Sequence, residues 1–130
     1  MTKILRVGLV MAGVALGVVA TASASAPDVG TATSDMTRML AAIAHPDYAG
    51  FVAPATSQFK ANVDPTKFAG QAKMIDSKIP LAQPYTVKFI TTQKIGAYLN
   101  YIFEITLHDG DQVLASLTLE HGKAAGFHLL

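Results

Sequence analysis

The sequence predicts an α+β domain in which N-terminal helices pack on one face of a curved four-stranded antiparallel meander sheet, preceded by a signal peptide. Two observations lead to this prediction. Apolar residues recur at helical spacing between residues 34 and 79, and then at every second position from Tyr85 to Leu129. The first 26 residues also differ in composition from the rest, since 17 of them are hydrophobic. We therefore expect three parts along the chain, namely residues 1–24, 25–33 and 34–130.

The first part has the layout of a secretory signal peptide. Lys3 and Arg6 form a positive start, residues 7–20 are uncharged and apolar, and residues 21–26 are only Ala, Ser and Thr. The apolar run is shorter than the roughly 20 residues that a membrane-spanning helix needs, which disfavours the alternative of an uncleaved anchor. Cleavage after Ala24 is favoured because a cut after Ala26 would place Pro27 directly beyond the bond. We expect export to the periplasm or out of the cell.

Composition excludes several classes of protein. The chain has no cysteine, so it carries neither a disulfide nor a cysteine-ligated metal. Its 10 basic and 9 acidic residues are nearly balanced, which argues against a nucleic-acid partner. A hydrophobic fraction of 51% excludes a disordered chain. Since Lys3 and Arg6 leave with the signal peptide, the exported domain is expected to be slightly acidic and to be stabilised by its core alone.

Helix signals follow one another between residues 33 and 80. Residues 25–33 are small and polar and are predicted to form a flexible leader. The first helix is predicted to begin at a Thr33 or Ser34 cap and to end before Pro46. A short second helix is expected after an Asp47 cap, and residues 55–61 are expected to form one further turn.

A fourth helix has the clearest start signal in the sequence. Asp64 is a good N-cap and Pro65 a good first helical residue. Pro80 is expected to end this helix.

Four half-buried strands are predicted from Tyr85 onward, with their apolar residues at odd positions. Because opposed residues of a hairpin share a face, odd positions can face each other only across loops of odd length. We therefore predict three-residue loops with glycine at the third place, over residues 94–96, 108–110 and 120–122. The middle loop places Ile105 opposite Val113 and Phe103 opposite Ala115. In the last strand, Ala125, Phe127 and Leu129 are expected to face the core.

At this point the order of elements, with the meander YLNYIFEITLHDGDQVLASLTLEHGKAAGFHLL, resembles the nuclear-transport-factor-two-like (cystatin-like, cone-shaped α+β) superfamily. The likeness is to its small exported bacterial members of unknown function, and it covers roughly residues 34–130. The resemblance implies a ligand cavity between the helices and the inner sheet face, and frequent dimerisation through the outer face. The superfamily holds isomerases and dehydratases as well as non-catalytic binding modules, so the resemblance leaves function open.

The predicted inner face carries no acid, histidine or lysine, and its polar groups are the hydroxyls of Tyr85 and Tyr101. Our leading hypothesis is therefore an exported non-catalytic domain that binds a small apolar ligand or a protein partner, with no catalytic residue and no cofactor. The predicted ligand-binding residues are Tyr85, Tyr101, Phe103, Met39 and Phe127.

The enzyme alternative and a metal site would each use other residues. An isomerase- or dehydratase-like enzyme would use Asp35 or His45 as the base, with Tyr101 as acid or oxyanion donor. A metal site would need His108, His121 and His128, whose spacing matches no known ligand pattern, so none is predicted.

A structural or dimerising role would use the outer, even-numbered face of the sheet, where His128 also lies. Apolar side chains there are expected to form an association patch that supports a homodimer. The predicted dimer-face residues are Ile90, Tyr98, Ile102 and Leu114.

Overall fold

The structure, a computed structural model, describes residues 28–130. The predicted signal peptide and residues 25–27 of the predicted leader lie outside the described residues. Within residues 28–130, no helix is both long enough and apolar enough to cross a membrane.

Four helices precede the sheet, as the sequence predicts. They are α1 (Val29–Ala44), α2 (Tyr48–Val52), α3 (Ser57–Asn62) and α4 (Pro65–Lys78). Asp47 caps α2 through Gly50 N, and Asp64 caps α4 through Thr66 N, which confirms both predicted caps.

Helix α1 begins earlier than predicted, at Val29 rather than near Ser34. The cap is Asp28, whose carboxylate accepts hydrogen bonds from the backbone N–H and the hydroxyl of Thr31. Ala32 is fully buried in the core, so packing against the rest of the domain stabilises this first helical turn. The segment 25–33, predicted as a flexible leader, is therefore helical from Val29 onward.

Four antiparallel strands follow in the predicted meander order, β1-β2-β3-β4. They are β1 (Thr86–Ile95), β2 (Tyr98–Thr106), β3 (Gln112–Glu120) and β4 (Lys123–Leu129). The middle hairpin has the predicted register, with Ile105 opposite Val113 and Phe103 opposite Ala115. Its loop also has the predicted length, since the Leu107 N–H donates to Asp111 O across residues 108–110.

The other two loops are shorter than predicted. Ile95 pairs with Tyr98 across Gly96 and Ala97, and Glu120 pairs with Lys123 across His121 and Gly122. The φ angles of His121 and Gly122 are both positive, at 52° and 80°, as a tight two-residue type I′ turn requires.

A two-residue loop on its own would place odd-numbered residues opposite even-numbered ones. A β-bulge in each of these hairpins shifts the register by one residue, so that beyond the bulge odd-numbered residues again face each other. The register shifts between Phe89 and Thr91 in the first hairpin, which leaves Ile90 as the extra residue. In the last hairpin Leu119 faces Ala124 but Thr118 faces Gly126, so Ala125 is extra. The prediction that Ala125 faces the core is therefore wrong, because Ala124 is the fully buried residue.

The core lies between the helices and the odd-numbered face of the sheet. Phe51 of α2 is at its centre, with ring centroids 5.0 Å from Phe68, 5.4 Å from Phe127 and 6.1 Å from Phe59. One aromatic side chain thus connects three helices to β4. This arrangement confirms the predicted α+β class, with helices on one face of a four-stranded antiparallel sheet.

Candidate functional site

The five predicted ligand-binding residues all lie on the core side of the molecule. Met39, Phe103 and Phe127 have no exposed surface, Tyr101 is nearly as buried, and Tyr85 is half-buried against the same core. A ligand could reach the first three only if the helices moved away from the sheet. The ligand-binding role of these residues therefore stays a prediction that requires the core to open.

The Tyr101 hydroxyl has a structural partner. It accepts a hydrogen bond of 2.8 Å from the backbone N–H of Asp28, which ties the start of α1 to the centre of the sheet. Burial raises the pKa of the Tyr85 hydroxyl, which makes that group a weaker acid than a solvated tyrosine.

The candidate bases of the enzyme alternative lie on α1 and directly after it. His45 is exposed at the C-terminal end of α1. Asp35 is half-buried, and burial raises the pKa of its carboxyl, while Arg38 acts in the opposite direction and Asp28 adds to the rise. The hydrogen bonds of residues 28–130 include none that joins Tyr101 to Asp35 or His45.

The histidines are dispersed. His108 and His121 are exposed in turns, and His128 is half-buried on β4, where burial lowers the pKa of its imidazole. Among the residues that the structure describes, no group of three or more His, Asp or Glu is arranged to hold a metal ion.

A shallow pocket lies where the end of α4 meets the β2–β3 loop. It encloses about 40 Å³, between Lys78 and Pro80 on one side and Asp109 and Asp111 on the other. Sites for small organic ligands typically enclose roughly 300–1,000 Å³. This pocket has room for a few water molecules and not for a ligand of that kind.

The outer face of the sheet carries most of the exposed large apolar side chains of residues 28–130. Residues 28–130 have five exposed large hydrophobic side chains, and four of them lie on this face, where they are 42–54% exposed. The fifth is Met74 on α4, at 61%. The four outer-face residues are Ile90, Ile95, Leu114 and Leu130.

The register brings three of these side chains together with Ile102. Thr91 of the β1 bulge is opposite Ile102, which places Ile90 beside it. Leu114 is diagonal to Ile102 on the next strand, and the Leu130 N–H donates to Leu114 O. We call this set, Ile90, Ile102, Leu114 and Leu130, the outer apolar patch.

A polar row separates the outer apolar patch from a second apolar pair. In this row the Thr118 hydroxyl donates to Asn100 Oδ1 at 3.0 Å. Tyr98 and Ile95 lie beyond it, at the end of the first hairpin. Of the predicted dimer-face residues, Ile90, Ile102 and Leu114 are therefore brought together, whereas Tyr98 lies apart.

Ile95 and Leu130 were not predicted for this face. Ile95 lies in the predicted loop 94–96, whereas the two-residue turn that the structure forms at Gly96 and Ala97 places it in β1. Leu130 follows Leu129 of the predicted strand, so simple alternation would have placed it on the outer face.

The charges of the outer face are balanced. Lys88 is directly opposite Glu104, and Lys123 is directly opposite Glu120. Each carboxylate thus lies beside a lysine, and the face as a whole carries no excess of either sign from these residues.

Comparison with known proteins shows a likeness to solved structures and to no family model or curated protein. No family model matches the chain, and a search of curated proteins found no match. A solved structure of an uncharacterized cystatin fold protein from Novosphingobium aromaticivorans is similar at 17% identity and a TM-score of 0.38, over 75% of this chain and 95% of that one. At this identity the likeness concerns fold alone, and it supports no conclusion about function.

Proposed function

We propose that this domain is a non-catalytic association module that pairs with a second copy of itself through the outer face of the sheet. The observation that carries the proposal is the concentration of exposed apolar side chains there, four of the five in residues 28–130. Exposed apolar clusters of this kind on a soluble domain mark interaction surfaces.

A second copy suits this face better than a strongly charged partner. The Lys88–Glu104 and Glu120–Lys123 pairs leave the face electrically balanced, so two copies meet without net repulsion. In a twofold dimer both subunits contribute the same surface, so each apolar residue of the patch is buried in both copies. Burying the exposed part of a leucine or isoleucine contributes up to roughly 1 kcal/mol, so covering the outer apolar patch on both subunits would favour association.

The test replaces one side chain of the patch with a charge. Leu114→Lys should convert a dimer into a monomer, because each dimer would then bury two additional ammonium groups, and Glu104, which is directly opposite Leu114, already lies beside Lys88. Analytical ultracentrifugation of the exported form, residues 25–130, over a range of concentrations measures the change.

Met74→Lys is the matched control, since it changes an apolar residue that is even more exposed, on the helical side of the molecule, and should leave the dimer intact. A wild-type protein that is monomeric at the highest concentration, or a Leu114→Lys variant that still dimerises, would contradict the proposal.

We further infer membership of the nuclear-transport-factor-two-like superfamily and export after cleavage at Ala24. Element order and the meander support the first inference, and the layout of residues 1–26 supports the second. Native mass spectrometry of the protein from its own host tests both the cleavage site and the apolar-ligand hypothesis. A retained N-terminal segment would contradict cleavage after Ala24, and the absence of any bound molecule would count against the apolar-ligand hypothesis.

A further inference from the structure

His128 lies inside the outer face, next to the outer apolar patch. In the register of the sheet it is directly opposite Ser116, which is only 5% exposed although it faces outward. Its diagonal neighbours on β3 are Leu114 and Thr118, and Leu130 is the next outward residue along its own chain. The imidazole therefore borders two of the four residues that the proposed dimer would bury.

No charged side chain of the outer face is positioned to compensate an imidazolium at this site. Lys88, Glu104, Glu120 and Lys123 all lie at register positions that are neither opposite nor diagonal to His128. Lys60, on the helix that packs along β4, is exposed and has the same sign as an imidazolium.

Burial already disfavours the charged imidazole in the single domain. It lowers the pKa of His128, and no neighbouring charge offsets the effect. A second copy seated on the outer apolar patch would remove further water from the ring and favour the neutral form more strongly. Association and protonation therefore compete for the same group.

We propose that His128 makes self-association through the outer face sensitive to pH, with the neutral imidazole required in the dimer and the protonated imidazole releasing it. This inference rests on the proposed function, because it needs the second copy to cover the outer apolar patch. The direction of the pH dependence follows because the dimer binds protons at His128 more weakly than the monomer does. The dissociation constant should be lowest above the pKa of His128 and should rise as the pH falls through it.

The test measures the dimer dissociation constant by analytical ultracentrifugation at pH 7.5 and pH 5.5, with circular dichroism as a check that the domain stays folded. For the wild-type protein we expect the constant to rise on the order of tenfold at the lower pH, within the usual range for coupled binding events. His128→Gln keeps a polar side chain of similar size and should show little change between the two conditions. His121→Gln, in the exposed turn before β4, should retain the wild-type pH dependence.

A second measurement does not depend on the variants. Nuclear magnetic resonance of the His128 ring carbons should show a pKa that falls as protein concentration rises, because dimers hold fewer protons.

The outcomes separate the two proposals. A dimer with the same dissociation constant at both pH values, or a pH dependence that persists in His128→Gln, overturns the role of His128 and leaves the association module standing. A protein that is monomeric at every pH and concentration overturns the proposed function and this inference with it.

Discussion

Asp28, Asp47 and Asp64 perform the same task at three helix starts, and this accounts for acids that could otherwise suggest chemistry. Each carboxylate accepts a backbone N–H from the first turn of its helix. Hydrogen bonds from Thr31 and Thr66 lower the pKa values of Asp28 and Asp64, so both are charged at neutral pH and neither resembles a general acid. The sequence predicted the second and third caps. It missed Asp28, although Val29, Ala32 and Met36 continue the apolar stripe of α1 back to it.

Replacing either of two glycines with alanine should change the free energy of unfolding, in opposite directions. A methyl group on Gly50 would lie 2.5 Å from Asp47 Oδ2 and would displace the carboxylate that caps α2. Gly70, in the exposed middle of α4, has nothing within 4 Å of the corresponding position. We expect Gly50→Ala to lower the free energy of unfolding by about 1 kcal/mol through loss of the cap. Gly70→Ala should raise it by a similar amount, because alanine is the better helix former. Urea unfolding followed by circular dichroism compares them, and equal effects of the same sign would contradict this account.

At the scale of elements, the sequence predicted strand order and facing residues better than turn geometry. The odd-numbered alternation correctly placed Tyr101, Phe103 and Leu117 on the core side. Parity alone could not distinguish a three-residue loop from a two-residue turn combined with a bulge, because both keep odd residues facing each other. The structure uses the first solution at residues 108–110 and the second in the other two hairpins.

The bulges make a specific prediction about deletions. Removing Ala125 leaves Gly126 opposite Thr118 and Phe127 opposite Leu117, so the strand becomes regular and its core residues stay inward. Removing Ser116 from β3, which has no bulge there, would make Ala115 and Leu117 neighbours that point to opposite faces. We expect the Ala125 deletion to fold with a loss of at most about 1–2 kcal/mol.

The Ser116 deletion, in contrast, should not fold at 37 °C. Thermal unfolding by circular dichroism tests the pair of deletions. If the Ala125 deletion destabilised the domain as much as the Ser116 deletion, the bulge would contribute to stability beyond setting the strand register.

The same register explains which part of the candidate site the sequence could predict. Even-numbered residues placed Ile90, Ile102 and Leu114 on the outer face, and these form most of the outer apolar patch. Ile95 joins that face only because the β1 bulge reverses the alternation after Ile90. A bulge depends on the partner strand, so it leaves no clear mark in the local sequence of β1.

For the whole molecule, the absence of cysteine makes the core the main source of stability. Phe51 takes part in more aromatic ring contacts than any other residue of the described chain, since its ring is near Phe59 of α3, Phe68 of α4 and Phe127 of β4. By contrast, Phe89 lies on the edge strand β1, is half-buried, and contacts aromatic rings of β2 alone, those of Tyr101 and Phe103.

Truncating these two phenylalanines should therefore separate their contributions. Phe51→Ala should cost about 3–5 kcal/mol, because it opens a cavity where three helices and the sheet meet. Phe89→Ala should cost about 1–2 kcal/mol, since that ring is at the edge of the sheet and partly in water, and its removal leaves a less enclosed cavity. A small domain has roughly 5–15 kcal/mol in total, so the first change removes a large share of its stability and the second does not. Urea unfolding at a protein concentration low enough to keep the chain monomeric measures both values. Similar losses for the two variants would mean that the helices and the sheet are not joined chiefly through Phe51.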